Sequence, residues 1–457
     1  MTVVWLSLLM GGMIVAWWFY TRRPDRQFAH IASQLRRITM RRHGDAVTGR
    51  RLMRQLYKLL RSSVIAGKAD DAYRAFDMLK LALGHNLGQA GEPVRISSVI
   101  YLAIKSDQPD TAGHGIDSFR PLLKNIAIIE IPAAIEQLGL IAIISLKQRQ
   151  NFLAARAVDV IFSSLPIAAA DNIHVAVMRV VKLIGLTALR RGDDGLIREI
   201  QAKLAGYLAA EPDDSAAHEL AAGVLTAWLL QCVKAGDAGL IELLDEYIRH
   251  LADKKILPET ALASIIAECS HIAGMDCLNP YSQVAGVVSM LSLYLALQVK
   301  SNDTWRQAVD GAGQAARLAA SQRSLAESFA VFYPLFESGR RLLTDELNSG
   351  SLCNLFREQA LYIVIRECLQ LIEFVSRQNF TTTTADVIDQ LYQDWSKRYD
   401  SKGQQKSIKK FCQLLFLYGK RLSRRQKRLS ADGTRFNATD VITVANRERL
   451  TQLGYLS

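Results

Sequence analysis

The chain has 457 residues, 49 % of them apolar, and a net charge of +12. That length fits two or three domains or one long repeat array, with apolar residues ample for a large core. Only ten prolines occur, the last at Pro334, and strict apolar–polar alternation is rare, which excludes a strand-rich fold and makes all-α the default.

Residues 1–20 read MTVVWLSLLMGGMIVAWWFY and carry no charge. About 20 apolar residues rising about 1.5 Å each span a hydrocarbon core of about 30 Å, so residues 1–21 are expected to be a transmembrane anchor. Trp17, Trp18 and Tyr20 sit at its end, where amphipathic rings favour headgroups, followed by Arg22, Arg23 and Arg26. The positive-inside rule then gives a single-pass protein of the cell (inner) membrane, N-terminus out and body cytoplasmic. A cleaved signal fits poorly, since no Lys or Arg precedes the run and aromatics stand where small residues belong. Gly11-Gly12 lacks the small-xxx-small spacing of helix dimers.

Residues 22–61 form a basic juxtamembrane segment, with twelve basic residues against two acids. Phe28, Ile31, Leu35 and Ile38 recur at helical spacing, and a break is expected at His43-Gly44-Asp45. Arg36, Arg37, Arg41 and Arg42 either meet anionic headgroups or only orient the anchor.

Residues 62–345 read as a helical repeat body. Turns near Ala69, Gly192 and Gly236 look alike: an apolar helix ends near a basic residue, a Gly turns the chain, and an Asp such as Asp193 or Asp237 can cap the next helix. Fainter turns lie near Gln150 and Asn302. The middle spacings are near 42 residues, 81 is close to two periods, and 66 does not fit. This resembles an αα-repeat array of the tetratricopeptide or HEAT kind, nearer HEAT by period. Such an array implies an extended surface for holding other proteins; the alternative is an irregular helical array. Leu196, Ile200, Leu204 and Leu208, and Leu240, Leu243, Leu244, Tyr247 and Leu251, mark the apolar faces of two second helices. Residues 277–299 carry no charge and have the length of a membrane span, but their polar residues favour a buried array helix.

Residues 346–400 are expected to hold the C-terminal helices, one over 351–378 and one after Thr384. Residues 401–430 carry ten basic residues and no acid. They form a basic amphipathic helix with Ile408, Phe411, Leu415, Tyr418 and Leu422 on one face. Lys420, Arg421, Arg424, Arg425, Lys427 and Arg428 follow, suited to anionic lipid or an acidic partner. Residues 431–457 are a polar tail; their sequon at Asn437 matters only if the topology is reversed.

No catalytic, cofactor or metal motif survives inspection. Gly311-Ala-Gly313 lacks the preceding strand of a dinucleotide site. The eight histidines are scattered, and Cys232, Cys269, Cys277, Cys353, Cys368 and Cys412 form no C-x-x-C. The expectation is a non-catalytic scaffold or adaptor in a membrane complex, with lipid and other proteins as partners and no cofactor. The alternative is a membrane-tethered nucleic-acid-binding protein using 22–61 and 402–428.

Overall fold

The computed structural model of the chain describes residues 24–40, 46–85, 87, 91–163, 171–210, 215–273, 282–322, 325–348, 355–378, 384–399 and 402–429. Every regular element among them is helical. The expected anchor, the break at 43–45, residues 274–281 and the polar tail lie outside the described residues. The chain divides into two compact units, Met1–Glu211 and Pro212–Ser457.

The first unit contains α1 (Pro24–Met40), α2 (Ala46–Ile65), α3 (Ala69–Gly84), α4 (Glu92–Lys105), α5 (Pro109–Ile116), α6 (Phe119–Asn125), α7 (Ile131–Lys147), α8 (Asn151–Ser163), α9 (Asp171–Leu189) and α10 (Asp194–Ala210). A 3-10 turn, Ile128–Glu130, precedes α7. The helices pair as hairpins: α2 with α3, α4 with α5, α7 with α8, and α9 with α10. First helices pack on first helices (α2 on α4, α4 on α7, α7 on α9). Second helices pack on second helices (α3 on α5, α5 on α8, α8 on α10). This is a helical-repeat, solenoid-like arrangement, because each hairpin's apolar face is covered only by the next.

The hairpin turns share one mechanism. A residue with positive φ stands at Gly67, Asp107, Arg149 and Gly192. The next backbone N–H then reaches the carbonyl five residues earlier: Lys68 to Ser63 (3.0 Å), Gln108 to Ala103 (2.9 Å), Gln150 to Ser145 (2.9 Å) and Asp193 to Ala188 (3.1 Å). This bond satisfies a carbonyl that the helix end would leave orphaned. Asp193 Oδ1 accepts from the Leu196 N–H at 3.1 Å and starts the next helix, an N-cap contributing about 1 kcal/mol. The Asp107 turn is the one missing from the sequence reading, so the interval of 81 residues is two repeats.

Successive turns also touch. The Gln108 side-chain amide donates to the Val64 carbonyl at 2.8 Å, and the Arg191 guanidinium donates to the Lys147 carbonyl at 3.4 Å.

The second unit contains α11 (Ser215–Ala235), α12 (Ala238–Asp253), α13 (Glu259–Ala273), α14 (Ser282–Val299), α15 (Asn302–Gln322), α16 (Leu325–Asn348), α17 (Leu355–Gln378), α18 (Thr384–Ser396) and α19 (Lys402–Leu429). The same logic holds: α11 packs on α13, α13 on α15 and α15 on α17, while α12 packs on α14 and α14 on α16. Gly236 has positive φ and Asp237 donates back to Cys232 at 3.3 Å. Asp237 Oδ1 in turn accepts from Leu240 N–H. The turn at Lys300, by contrast, joins α14 to the first helix of the next pair. It belongs to a different class of turn, which is why the spacing of 66 fits no period.

Helix α14 is the uncharged stretch that suggested a second membrane segment. Its Val288, Leu291 and Leu295 are buried, and Ser292 meets Ser270 of α13 at 3.2 Å. Three other helices have the length and composition of a span: Ile128–Lys147, Asn172–Leu189 and Ala216–Ala235. The sequence reading expected one span at the N-terminus and did not single these out. Each coincides with a first helix (α7, α9 or α11) that packs on other helices of its own unit.

Gly311 and Gly313 lie within α15, not in a phosphate-binding loop. A Cβ at Gly311 would stand 2.7 Å from the Ser270 backbone, so Gly311 is where α13 and α15 approach closely. Gly223 in α11 faces open space. Gly311→Ala is expected to destabilise the second unit by about 1–3 kcal/mol through overpacking. Gly223→Ala is expected to stabilise it by about 0.5–1 kcal/mol through helix propensity. Thermal unfolding of the two variants beside the parent chain checks the opposite signs.

Candidate interaction site at the first hairpin

Helix α1 caps the first hairpin. Its Phe28, Ile31 and Leu35 are buried against α2 and α3, and Asp25 pairs with Arg74 of α3 at 3.0 Å. The juxtamembrane segment is therefore part of the array. Between the N-terminal half of α1 and the C-terminal half of α2 lies an open cleft of about 740 Å³. Gln27, His30, Gln55, Lys58, Ser62 and Lys68 line it, with Asp71 as its acidic member.

The outward face of α2 is strongly basic. Arg50, Arg54, Lys58 and Arg61 recur at three- and four-residue steps along one stripe, with Arg51 beside them, and all five are exposed. Helix α2 contains no acidic residue. Among the described residues, none of the five takes part in an ion pair.

The second helices carry the opposite arrangement. Asp117 on the α5–α6 corner is held by Arg156 of α8 through Nε at 3.1 Å and Nη2 at 2.5 Å. Asp159 of α8 is bridged by Arg120 at 2.5 Å and Lys203 of α10 at 2.7 Å. Hydrogen bonds from Lys203 and Arg120 hold the Asp159 carboxyl below its ordinary range, against the opposing effect of burial. The hydrogen bond to Asp117 raises Arg156 further. These pairs run from hairpin to hairpin and leave little free charge.

The first-helix face also exposes large apolar side chains: Val94 and Tyr101 on α4, Leu140 on α7, and Val175 and Leu183 on α9. Each sits on the outward stripe of its helix. Lys105 lies 4.7 Å over the Tyr101 ring, a cation–π contact.

In the second unit the buried charges form a separate network. Glu337 of α16 accepts from Arg340 Nε at 2.9 Å and from Arg341 Nε at 3.0 Å. Arg340 also reaches Ser407 of α19 at 3.3 Å. The Tyr333 and Tyr399 hydroxyls meet at 2.8 Å, and Arg398 lies over the Tyr333 ring. Burial alone would raise Glu337, but the two arginines outweigh it and hold the carboxylate below the usual glutamate range. Glu367 of α17 behaves oppositely: burial exceeds the attraction of Arg317 and pushes it up.

The described thiols, Cys232, Cys269, Cys368 and Cys412, are free and buried. Burial pushes Cys412 up to about 12 and Cys269 higher still, so neither is a nucleophile near neutral pH. Cys277 and Cys353 lie outside the described residues. Among the described residues no cluster of three metal-ligating side chains occurs.

Of the residues singled out from sequence, Arg26, Arg36 and Arg37 lie exposed on α1. Trp17, Trp18, Tyr20, Arg22, Arg23, Arg41 and Arg42 lie outside the described residues. Lys420, Arg421, Arg424, Arg425, Lys427 and Arg428 fall in the second half of α19, whose side chains lie outside the description. Ile408, Phe411 and Leu415 of its first half are buried against the second unit. The α2 stripe and the cleft were missed. The signal for the stripe was present, as basic residues at helical spacing in a helix without acids.

No protein-family model and no curated protein matches the chain. Among solved structures it is similar to a circular tandem repeat protein with novel repeat topology and enhanced subunit contact surfaces. The identity is 13 %, over 89 % of this chain and 99 % of that one, with a TM-score of 0.33. An engineered protein aligns at 12 % identity over 86 % and 96 %, with a TM-score of 0.29. A chain from work on a phosphorylation switch in the cadherin–beta-catenin interaction aligns at 14 % identity over 92 % and 98 %, with a TM-score of 0.24. Scores this low say nothing further about the chain.

Two outcomes follow from these contacts. Arg50→Ala, Arg54→Ala and Arg61→Ala are each expected to change stability by less than about 0.5 kcal/mol, whereas Phe28→Ala opens a cavity costing about 3–5 kcal/mol; chemical denaturation separates them. Glu337→Gln is expected to cost about 3–5 kcal/mol by leaving Arg340 buried without its counter-charge. With a lowered folded pKa, the Glu337 contribution is full above the usual glutamate pKa and is lost as pH falls through the folded value. Glu367, with a raised folded pKa, gives the reverse slope: stability rises as pH falls through it, and Glu367→Gln is tolerated at neutral pH. Melting temperatures of both variants across pH check the two signs.

Proposed function

We propose that the chain is a membrane-anchored scaffold that presents a helical-repeat surface to other proteins, as a non-catalytic subunit of a membrane complex. In this reading residues 1–21 cross the cell's inner membrane with the N-terminus outside, and the array lies in the cytoplasm. The observation that carries the protein-binding part is the row of exposed apolar side chains on the first helices of the first unit, Val94, Tyr101, Leu140, Val175 and Leu183. The second helices expose fewer, Leu81 and Phe152, and pair charges across hairpins at Asp117 and Asp159. Exposed apolar residues on a rigid polar frame suit a protein partner. The reading places α7, α9 and α11 inside the array and not in the bilayer, in keeping with their packing on neighbouring helices.

A membrane-tethered nucleic-acid-binding protein is the second reading, favoured by the unpaired cations of α2. Against it, the only aromatic residue of α2 is Tyr57, half-buried beside Glu92, so the stripe has no ring on which a base can stack.

Mild solubilisation of the full-length protein from its own membranes, followed by capture, tests the proposal. A discrete set of proteins is expected that survives nuclease and is lost from Leu140→Asp/Leu183→Asp. A chain lacking residues 1–21 is expected to leave the membrane fraction. Nucleic acid, or partners that vanish with nuclease, would move the conclusion to the second reading.

A further inference from the structure

We infer that the basic stripe of α2 docks the first hairpin on anionic lipid headgroups, so that the array lies against the bilayer from its first helix. The inference rests on the membrane-anchored reading above and names the lipid class that the site would take.

The argument begins with distance. Three residues separate Tyr20 from Pro24, where α1 begins. The four residue steps from Tyr20 to Pro24 reach at most about 14 Å when extended. Helix α1 therefore begins within about two Debye lengths of the headgroups at physiological salt. The cleft then fixes which part of α2 shares that position. Gln27 and His30, in the first two turns of α1, line it together with Lys58 and Ser62 of α2 and Lys68 of the first turn. The C-terminal half of α2 therefore lies beside the end of α1 nearest the anchor. Because α1 is held by buried Phe28, Ile31 and Leu35, this neighbourhood is fixed and not an average over a loose tether.

Charge supplies the occupant. Arg50, Arg51, Arg54, Lys58 and Arg61 are exposed with no acid on their helix. They form no ion pair among the described residues, unlike the cations of α8 and α10 on the other face. Four cations on one stripe, with Arg51 beside them, repel one another, and a sheet of anionic headgroups is the complementary surface nearest to hand. Ile65, 65 % exposed at the end of the stripe, is an apolar side chain placed to enter the interface.

The test uses the full chain reconstituted in vesicles of phosphatidylcholine alone and in vesicles with one third phosphatidylglycerol. An environment-sensitive fluorophore is attached at Ile65→Cys, with Leu81→Cys on α3 as the control position and the parent chain as the blank. A blue shift is expected at position 65 only with phosphatidylglycerol, absent at position 81 and reversed by salt. It is expected to be lost in Arg50→Glu/Arg54→Glu/Arg61→Glu. The same emission in both lipids, or a shift that survives charge reversal, would overturn the inference. So would a larger shift on adding RNA to neutral vesicles, which would assign the stripe to nucleic acid.

Alkaline carbonate extraction keeps the two readings apart. If carbonate strips the chain, the anchor reading has failed, and flotation with anionic vesicles then tests the stripe alone. Each neutralised cation is expected to weaken that flotation roughly fivefold, and flotation unchanged by the triple reversal would sink it.

Discussion

A helical hairpin buries the seam between its own two helices and leaves a second apolar face uncovered. That face cannot be left in water, and only another hairpin of the same kind fits it. Much of the structure follows from this need. The first helices α4 and α7 have first-helix neighbours on both sides, so their apolar positions spread over more than one stripe. Helices of this kind approach the hydropathy of membrane spans, as α7, α9 and α11 do. The turns must reverse the chain at a constant angle for the next hairpin to land, and the repeated backbone bond after Gly67, Asp107, Arg149 and Gly192 does so.

Stacking also divides the surface in two. Side chains of successive second helices lie close enough to pair, and Asp117, Arg156, Asp159 and Lys203 do. Among the described residues the exposed cations of α2 find no such counter-charge: α2 holds no acid, and α1 packs on it with Phe28, Ile31 and Leu35. First helices pair as well, Arg179 of α9 with Glu136 of α7, so the local excess of positive charge belongs to α2 and the first hairpin, not to a whole face. In the second unit the excess is taken inside: Glu337 and Arg340 are both buried, and they tie α16 to α19.

The sequence made the repeat legible where a glycine marks the turn. Gly192 and Gly236 are followed by Asp193 and Asp237, which cap the next helices. The turn at Asp107 was illegible because Asp takes the left-handed position there, and Lys105-Ser106-Asp107-Gln108 looks like ordinary helix surface. The turn at Asn302 misled for the converse reason: similar letters end a helix at either kind of junction, and only packing tells them apart. Counting charge in windows merged α1 and α2 into one basic segment. Helical phase separates them, and α2 then carries the stripe. Gly311 and Gly313 spell part of a nucleotide fingerprint, yet the reason for Gly311 is the backbone of Ser270 2.7 Å away, a contact made across 41 positions. Burial of Glu337 or Glu367 has no local signature, since it is set by helices that arrive from elsewhere in the chain.

The capping role of α1 has a mechanical side. If residues 1–21 anchor the chain as proposed, a tether that hung free would let a pull at the membrane straighten slack before any tension reached the folded body. Here the chain enters a helix locked by Phe28, Ile31 and Leu35, and the Asp25–Arg74 pair fastens its leading turn to α3. Tension would load the first hairpin at once and pass along the unit through the rungs that join one turn to the next, Gln108 to Val64 and Arg191 to Lys147. Such a chain transmits strain in series, so the hairpin at the pulled end would yield first while those behind it stay folded.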